Sequence, residues 1–324
     1  MKNILVAGPF AKEDLAELAG SAKLHFLREM GKEDVEALLP SVDCILVHFW
    51  PKELTIPMVA KMTRLSFVQS ALAGVNHIPF RDLPPDVIIS SNAGGYSQEV
   101  GEYAWGLLLA AAKRIVKFNA APEEYGLKSP LELGKEVVVL RGRVLGVMGY
   151  GGIGSSVAKV GAAFGMKVRA FSRKVVDDKG VTALSGELGL KEILSESDVV
   201  VLALPLTNST RKMIGEAQLG MMKKDAILVN VARAEIVDQE AVYAHLLRNK
   251  SFVYTTDVWW LKDGKEAIPP DLPFFGLENF IGTPHVAGPS AVAHGAPLDN
   301  AVDNVLRFAR GEALKNVVDR ADYV

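Results

Sequence analysis

Two doubly wound α/β domains are predicted by three observations: short apolar runs alternate with helical patterns, the alternation restarts after a turn-rich interruption, and the chain has 324 residues. That length exceeds the ~100–200 residues of a usual single domain, so each half can bury its own core. Strand and helix in alternation imply a parallel sheet covered on both faces. In the first part, Ile4 to Ala7, Leu24 to Leu27, Cys44 to Phe49, Phe67 to Ala71 and Val87 to Ser90 read as strands. Lys12 to Ala19, Lys32 to Leu39 and Ile56 to Met62 read as the helices between them.

A longer helix is expected from Gln98, where Val100, Tyr103, Ala104, Leu107, Leu108, Ala111 and Ile115 fall at the spacing of one buried stripe, and it is expected to cross between the domains. After the turn-rich stretch Ala121 to Gly134, strands resume at Val144 to Met148, Lys167 to Phe171, Val199 to Leu204, Ala226 to Val231, Tyr254 to Asp257 and Phe280 to Gly282. The tail from Ala291 to Arg310 again reads as a helix. If it packs back on the first part, the smaller domain comprises residues 1–95 and 289–324, and the larger one residues 96–288. Neither an internal repeat nor a low-complexity segment is present.

Composition excludes several classes. Charged residues are 23%, apolar residues 49%, and the formal net charge is −2, which gives no support to nucleic-acid binding. The only cysteine, Cys44, lies in the apolar run Asp43-Cys44-Ile45-Leu46-Val47 and reads as a buried structural thiol. The N-terminal apolar run is too short for a signal peptide, and no run approaches the ~18 apolar residues of a membrane span. The expectation is a cytoplasmic enzyme or binding protein with a small-molecule partner.

The run Val144 to Met148 leads into Gly149-Tyr150-Gly151-Gly152-Ile153-Gly154, and Ser155 to Phe164 continues as a helix. Strand, G-x-G-x-x-G and helix in that order read as a Rossmann dinucleotide-binding turn, with a purely structural turn as the alternative. The first glycine permits the bend, the second lets the backbone approach a pyrophosphate, and the third lets helix and strand pack. The helix N-terminus then faces the anion. At the end of the next strand an NAD-binding unit would place an acid for the ribose 2′-OH; here stand Ser172, Arg173 and Lys174. A hydroxyl donor followed by two cations suits a 2′-phosphate, so NADP(H) is preferred and NAD(H) stays open. The other reading of Arg173 and Lys174 is a solvated pair at a strand end.

Segments at the C-terminal ends of the later strands should line a ligand cleft. They carry Asn230-Val231-Ala232-Arg233-Ala234, Thr256-Asp257-Val258-Trp259-Trp260 and Gly282-Thr283-Pro284-His285-Val286-Ala287-Gly288. With Ala73-Gly74-Val75, Asn92-Ala93-Gly94, Val100-Gly101-Glu102, the glycine turn and Leu204-Pro205-Leu206-Thr207, these motifs make the chain resemble the D-isomer-specific 2-hydroxyacid dehydrogenases over nearly its whole length. That family includes glyoxylate/hydroxypyruvate reductases, phosphoglycerate dehydrogenases and formate dehydrogenases. The resemblance implies a smaller flavodoxin-like substrate domain beside the Rossmann domain, closure of the two around the substrate, and a homodimer formed through the dinucleotide-binding domain.

By the same resemblance Arg233 clamps the substrate carboxylate, His285 exchanges the proton, and Ala73, Gly74 and Val75 bind the carboxylate through their backbone. Asp257 holds the nicotinamide end, with Leu204, Pro205, Thr210, Val231 and Ala232 as further cofactor contacts. Many members carry a glutamate five residues after the aspartate, bonded to the histidine; here that position is Lys262, whose charge would oppose protonation of a neighbouring imidazole. Either another acid substitutes or His285 works without a carboxylate; Asp263, Glu266 and Asp271 are the acids nearby, and Glu266 is taken as the replacement. Trp50, after a first-domain strand, is a candidate wall of the substrate pocket, with simple packing as the alternative. Trp259 and Trp260 read as packing residues near the cleft mouth. His25, His48, His77, His245 and His294 form no metal-binding pattern, and no metal is expected.

The expected reaction is hydride transfer between NADP(H) and a short 2-oxo or 2-hydroxy acid, glyoxylate or hydroxypyruvate first. Formate is a weaker candidate. A dinucleotide-sensing binding protein of the same fold with no turnover is the rival from another class.

Overall fold

The computed structural model describes residues 1–120, 129–173, 176–262, 264–288 and 296–324, with the backbone alone for Ala296 and Pro297. The chain divides into two compact units, one formed by Met1–Tyr96 with Ala291–Val324, the other by Ser97–Ser290.

The first unit carries a five-stranded parallel sheet of β1 (Lys2–Ala7), β2 (Ala22–Phe26), β3 (Cys44–Val47), β4 (Phe67–Ser70) and β5 (Ile88–Ser90), in the order β2-β1-β3-β4-β5. Successive side chains on a strand point to opposite faces. Leu5, Ala7, Ile45, Val47 and Val68 therefore enter one apolar cluster, and Ile4, Val6, Cys44, Leu46 and Phe67 the other. Burial on both faces explains why these strands read as continuous apolar runs. Each buried Val, Leu or Ile contributes about 1.5–3 kcal/mol. Cys44 is fully buried, and burial pushes its thiol well up from the ordinary range.

The helix Ala296–Arg310 lays Ala301, Val302, Val305 and Leu306 on the second face. Asn304 donates to Gln69 Oε1 at 2.6 Å and to the Lys315 carbonyl at 3.0 Å, both inside the unit. The chain then runs antiparallel along the open edge of β5, with the Val318 amide donating to the Ile89 carbonyl at 2.8 Å. A sheet edge that would otherwise present unpaired amides is thus covered.

The second unit holds a seven-stranded parallel sheet of β6 (Val144–Met148), β7 (Lys167–Phe171), β8 (Val181–Leu184), β9 (Val199–Leu202), β10 (Ile227–Asn230), β11 (Val253–Thr256) and β14 (Phe280–Gly282). The order is β14-β11-β10-β9-β6-β7-β8, so the strand order reverses between β6 and β9, beside the glycine turn. The helix Ser97–Ala112 packs on the helix Gly152–Ala163, and Gly101 permits it: a Cβ there would stand 2.6 Å from Ser156 Oγ.

Several elements differ from expectation. The long helix stops at Ala112, because Arg114 adopts φ of 53°, and a separate helix Ile115–Ala120 follows with Ile115 exposed. Ile115 therefore leaves the buried stripe. Ile56 to Met62 shortens to Ile56–Val59, and Lys12 to Ala19 becomes the 3₁₀ turn Glu13–Leu18. The strand β8 has only exposed and half-buried side chains and gave no apolar signal. The short antiparallel pair β12 (Leu261–Lys262) and β13 (Lys265–Glu266) lies in a segment expected to be a loop. Of the expected tail helix, residues 291–295, His294 among them, lie outside the described residues, as do residues 121–128 of the turn-rich stretch.

Asp198 ties the amino ends of the strands together. It accepts the Val144 amide at 2.7 Å, Arg143 Nη1 at 3.0 Å and Lys223 Nζ at 3.0 Å. Burial works against the charged form, but these donors outweigh it and hold the carboxyl below its ordinary range. A depressed folded-state value means that the stabilisation is full above the unfolded range and is lost as pH falls through the folded value. Asp198→Asn is expected to cost about 1–3 kcal/mol in urea unfolding at neutral pH. The gap from the parent protein should narrow below about pH 4; a constant gap into acid would contradict this account.

Candidate active site

The glycine turn leaves β6 at Gly149, whose φ is 96°. A Cβ there would lie 2.5 Å from the Ala203 carbonyl oxygen, and one on Gly154 only 1.9 Å from the Gly149 carbonyl oxygen. Both glycines are therefore required by the protein's own packing. Gly151 is different. It is the N-cap of the helix Gly152–Ala163, has no side-chain cap bond, and nothing stands within 4 Å of where its Cβ would be. Open space over uncapped amides at the positive end of a helix fits a pyrophosphate. Gly152 and Ile153 form the first helical residues behind it.

Tyr150, inside the turn, donates its phenol to Asp178 Oδ2 at 2.6 Å. Burial and this carboxylate push the phenol well up from its ordinary range. Asp178 is the one feature here that sequence reasoning missed; it stands well past the strand end where an acid was sought. Ser172 and Arg173 follow directly on β7, with the Ser172 amide bonded to the Leu184 carbonyl at 3.0 Å. Lys174 lies outside the described residues. After β9, Leu204 and Pro205 begin a tight loop in which the Thr210 hydroxyl donates to the Pro205 carbonyl at 2.7 Å and accepts the Thr207 amide at 2.8 Å. Thr210 is thus buried and holds this loop.

The adjacent strands β10, β11 and β14 bring three exits together on one edge. After β10, the fully buried Asn230 accepts the Ala232 amide at 3.1 Å and donates to the Arg233 carbonyl at 3.0 Å, folding Val231, Ala232 and Arg233 into a turn. Arg233 Nη1 donates to the Ala232 carbonyl at 2.7 Å, and the residue is half-buried. After β11 comes Asp257, whose side chain is 1% exposed. Its carboxylate accepts the Thr283 hydroxyl at 2.6 Å, the Val286 amide at 3.1 Å and the Ala287 amide at 2.8 Å. In this structure Asp257 organises the segment that follows β14.

That segment carries His285, held at φ of 55°, a left-handed conformation costing about 1–2 kcal/mol for a residue with a Cβ. Its Nδ1 lies 2.8 Å from both carboxylate oxygens of Glu266. Glu266 reaches it from the β12–β13 hairpin, where Leu261 pairs with Glu266 and Lys262 with Lys265. Paired residues share a face and neighbours alternate, so Lys262 stands on the opposite side of the hairpin from Glu266. Asp263 lies outside the described residues.

In the first unit, Ala73, Gly74 and Val75 follow β4, and Asn92 Nδ2 secures that stretch by donating to the Ala71 carbonyl at 2.8 Å. Trp50 is 3% exposed and packs in the apolar cluster with Leu54 and Val59, as the packing alternative has it. It opens the helix Trp50–Glu53, with Pro51 fixing the first turn, which turns the ring inward. Among the described residues no group of three or more His, Cys, Asp or Glu side chains is arranged to hold a metal. No described helix is long and apolar enough to cross a membrane.

A dinucleotide-binding sheet with a histidine–carboxylate pair at its strand ends defines the class, and similarity to known proteins defines the family. Residues 105–287 match the D-isomer specific 2-hydroxyacid dehydrogenase NAD binding domain. Over 98% of its length the chain is 31% identical to D-3-phosphoglycerate dehydrogenase of Methanocaldococcus jannaschii, and it spans 60% of that protein. It is 33% identical to the glyoxylate reductase of Korarchaeum cryptofilum over 82% of this chain and 81% of the other. The fold matches, with a TM-score of 0.84, 32% identity and full coverage of both chains, the solved structure of a Pyrobaculum aerophilum protein provisionally assigned as a formate dehydrogenase. The chain belongs to the D-isomer specific 2-hydroxyacid dehydrogenase family, a family of NAD(P)-dependent oxidoreductases.

The open space at Gly151 gives a direct test. Gly151→Ala is expected to fold and melt as the parent does, since its Cβ meets no protein atom. In calorimetric titration it should bind a nicotinamide dinucleotide at least about tenfold more weakly, the equivalent of ~1.4 kcal/mol. Unchanged affinity would separate this turn from dinucleotide binding.

Proposed function

We propose that this protein interconverts a short 2-oxo acid, such as glyoxylate or hydroxypyruvate, and its D-2-hydroxy acid, with NADP(H) as the preferred cofactor. The observation that carries the reading is the pairing of His285 Nδ1 with the Glu266 carboxylate at 2.8 Å. A carboxylate that accepts Nδ1–H fixes the ring and leaves Nε2 to exchange a proton with substrate. In reduction Nε2–H delivers its proton to the 2-oxo oxygen, and in oxidation Nε2 takes it from the 2-hydroxyl. Arg233 binds the substrate carboxylate through its planar guanidinium, which also draws charge from the neighbouring 2-oxo oxygen. The nicotinamide, when bound, supplies or accepts the hydride.

Ser172 and Arg173 after β7 support NADP(H), through a hydroxyl donor and a cation beside the position of a 2′-phosphate. Asp178 favours a second reading, because its carboxylate reaches Tyr150 in the glycine turn and would suit an unphosphorylated ribose. Homodimerisation through the second unit belongs to the same proposal and is supported by the exposed apolar residues Ile115, Val116, Leu131 and Val139.

One panel tests these points together: 2-oxo acids with NADPH and NADH, and formate with the oxidised cofactors. Turnover of a 2-oxo acid with NADPH is expected to exceed that with NADH. His285→Ala should lower kcat by about 10²–10⁴-fold. Arg233→Ala and Glu266→Ala should each lower kcat/KM by roughly 10- to 100-fold, from the loss of a charge-assisted hydrogen bond. Cofactor binding without turnover of any acid would point instead to a sensor, and formate oxidation alone to a formate dehydrogenase.

A further inference from the structure

The Thr283-Pro284-His285 turn is gripped from a second side, away from Asp257. Trp259 Nε1 donates to the Thr283 carbonyl at 2.8 Å, and that same oxygen accepts the His285 amide at 3.0 Å. A carbonyl oxygen has two lone pairs, and here both donors bear on the one atom that closes the turn. The indole has little freedom to move. It is 5% exposed, stacked on Phe275 at 5.6 Å, and set edge-on against Phe280 at 6.0 Å. Gly282 lets it approach, because a Cβ there would lie 2.7 Å from the ring. Trp260, its neighbour, faces elsewhere and donates to the Val237 carbonyl at 2.9 Å.

We propose that Trp259 is a positioning residue for His285: its indole N–H fixes the Thr283 carbonyl, and through it the left-handed His285 backbone that presents Nδ1 to Glu266. The inference rests on the reading of His285 as the proton-exchanging group. Left-handed backbone is disfavoured for a residue with a Cβ, so it persists only where the surroundings over-determine it. Asp257 fixes the residues on either side of His285, at Thr283, Val286 and Ala287. Trp259 supplies the remaining constraint, on the carbonyl that the His285 amide itself uses. Without the indole donor that carbonyl is free to turn, and the imidazole spends less time in line with its carboxylate.

Trp259→Phe keeps an aromatic ring and removes the donor. Its kcat for the best 2-oxo acid is expected to fall about three- to tenfold, the worth of one neutral hydrogen bond. KM and cofactor affinity should stay within about twofold, because no bound group is touched. In a His285→Asn background the same change should have no further effect on the residual rate, since Trp259 acts through the imidazole. Benzothienylalanine placed at position 259 keeps the indole shape but has sulfur in place of N–H; it should reproduce the loss if phenylalanine disturbs folding. Full kcat in either folded variant, or an equal loss in the His285→Asn background, would overturn the role of Trp259. Undiminished turnover in His285→Asn itself would instead remove the parent reading.

Discussion

A single buried carboxyl group organises the strand exits of the second unit. Asp257 is closed off from solvent, and a carboxylate in that position is tolerable only if its lone pairs are filled. The Thr283 hydroxyl and the amides of Val286 and Ala287 fill them, so the segment after β14 cannot leave without exposing the charge to an unmatched interior. The left-handed turn at His285 is held in part by that closure. Binding of the aspartate by the loop, and of the loop by the aspartate, are one constraint, and the candidate proton-exchanging group hangs from it.

The architecture was legible because both sheets are buried on two faces, which forces their strands to read as apolar runs. The runs at Val144 to Met148, Lys167 to Phe171 and Phe280 to Gly282 coincide with strands to the residue. Where a strand lies at an edge with little burial, as β8 does, no such signal exists. The break at Arg114 was equally hidden, since its neighbours continue a helical apolar pattern and only the backbone angle departs. Around the site, the motif order located the three strand exits, yet the loop from Leu261 to Pro273 offered several acids without ranking them by geometry. Which acid meets His285 depends on hairpin register, and register in a pair of two-residue strands is set by contacts that composition does not reveal. Trp50 shows a similar gap, since a large aromatic beside a strand end can wall a pocket or pack inward, and composition does not reveal that it is buried.

The glycine turn separates two demands that a motif merges. Gly149 and Gly154 answer to the protein's own backbone, and they would be needed in any chain that folds this way. At Gly151, by contrast, no protein atom stands within 4 Å of where a Cβ would be, so packing within the protein does not account for a glycine there. Tyr150 adds a detail of this chain, a phenol that bonds Asp178 and so brings a carboxylate to the turn.

The hairpin that presents Glu266 lies outside the apolar cores: its side chains are exposed, and its two strands pair only with each other. Glu266 therefore sits on an exposed hairpin, while His285 sits on a turn tied down by the buried Asp257. Exposed positions outside a core tolerate changes of sequence at little cost in stability, so the place of the carboxylate along this hairpin is loosely constrained by folding. A lysine at the position where many family members carry glutamate need not mean a lost partner, because a carboxylate further along the same hairpin reaches the imidazole.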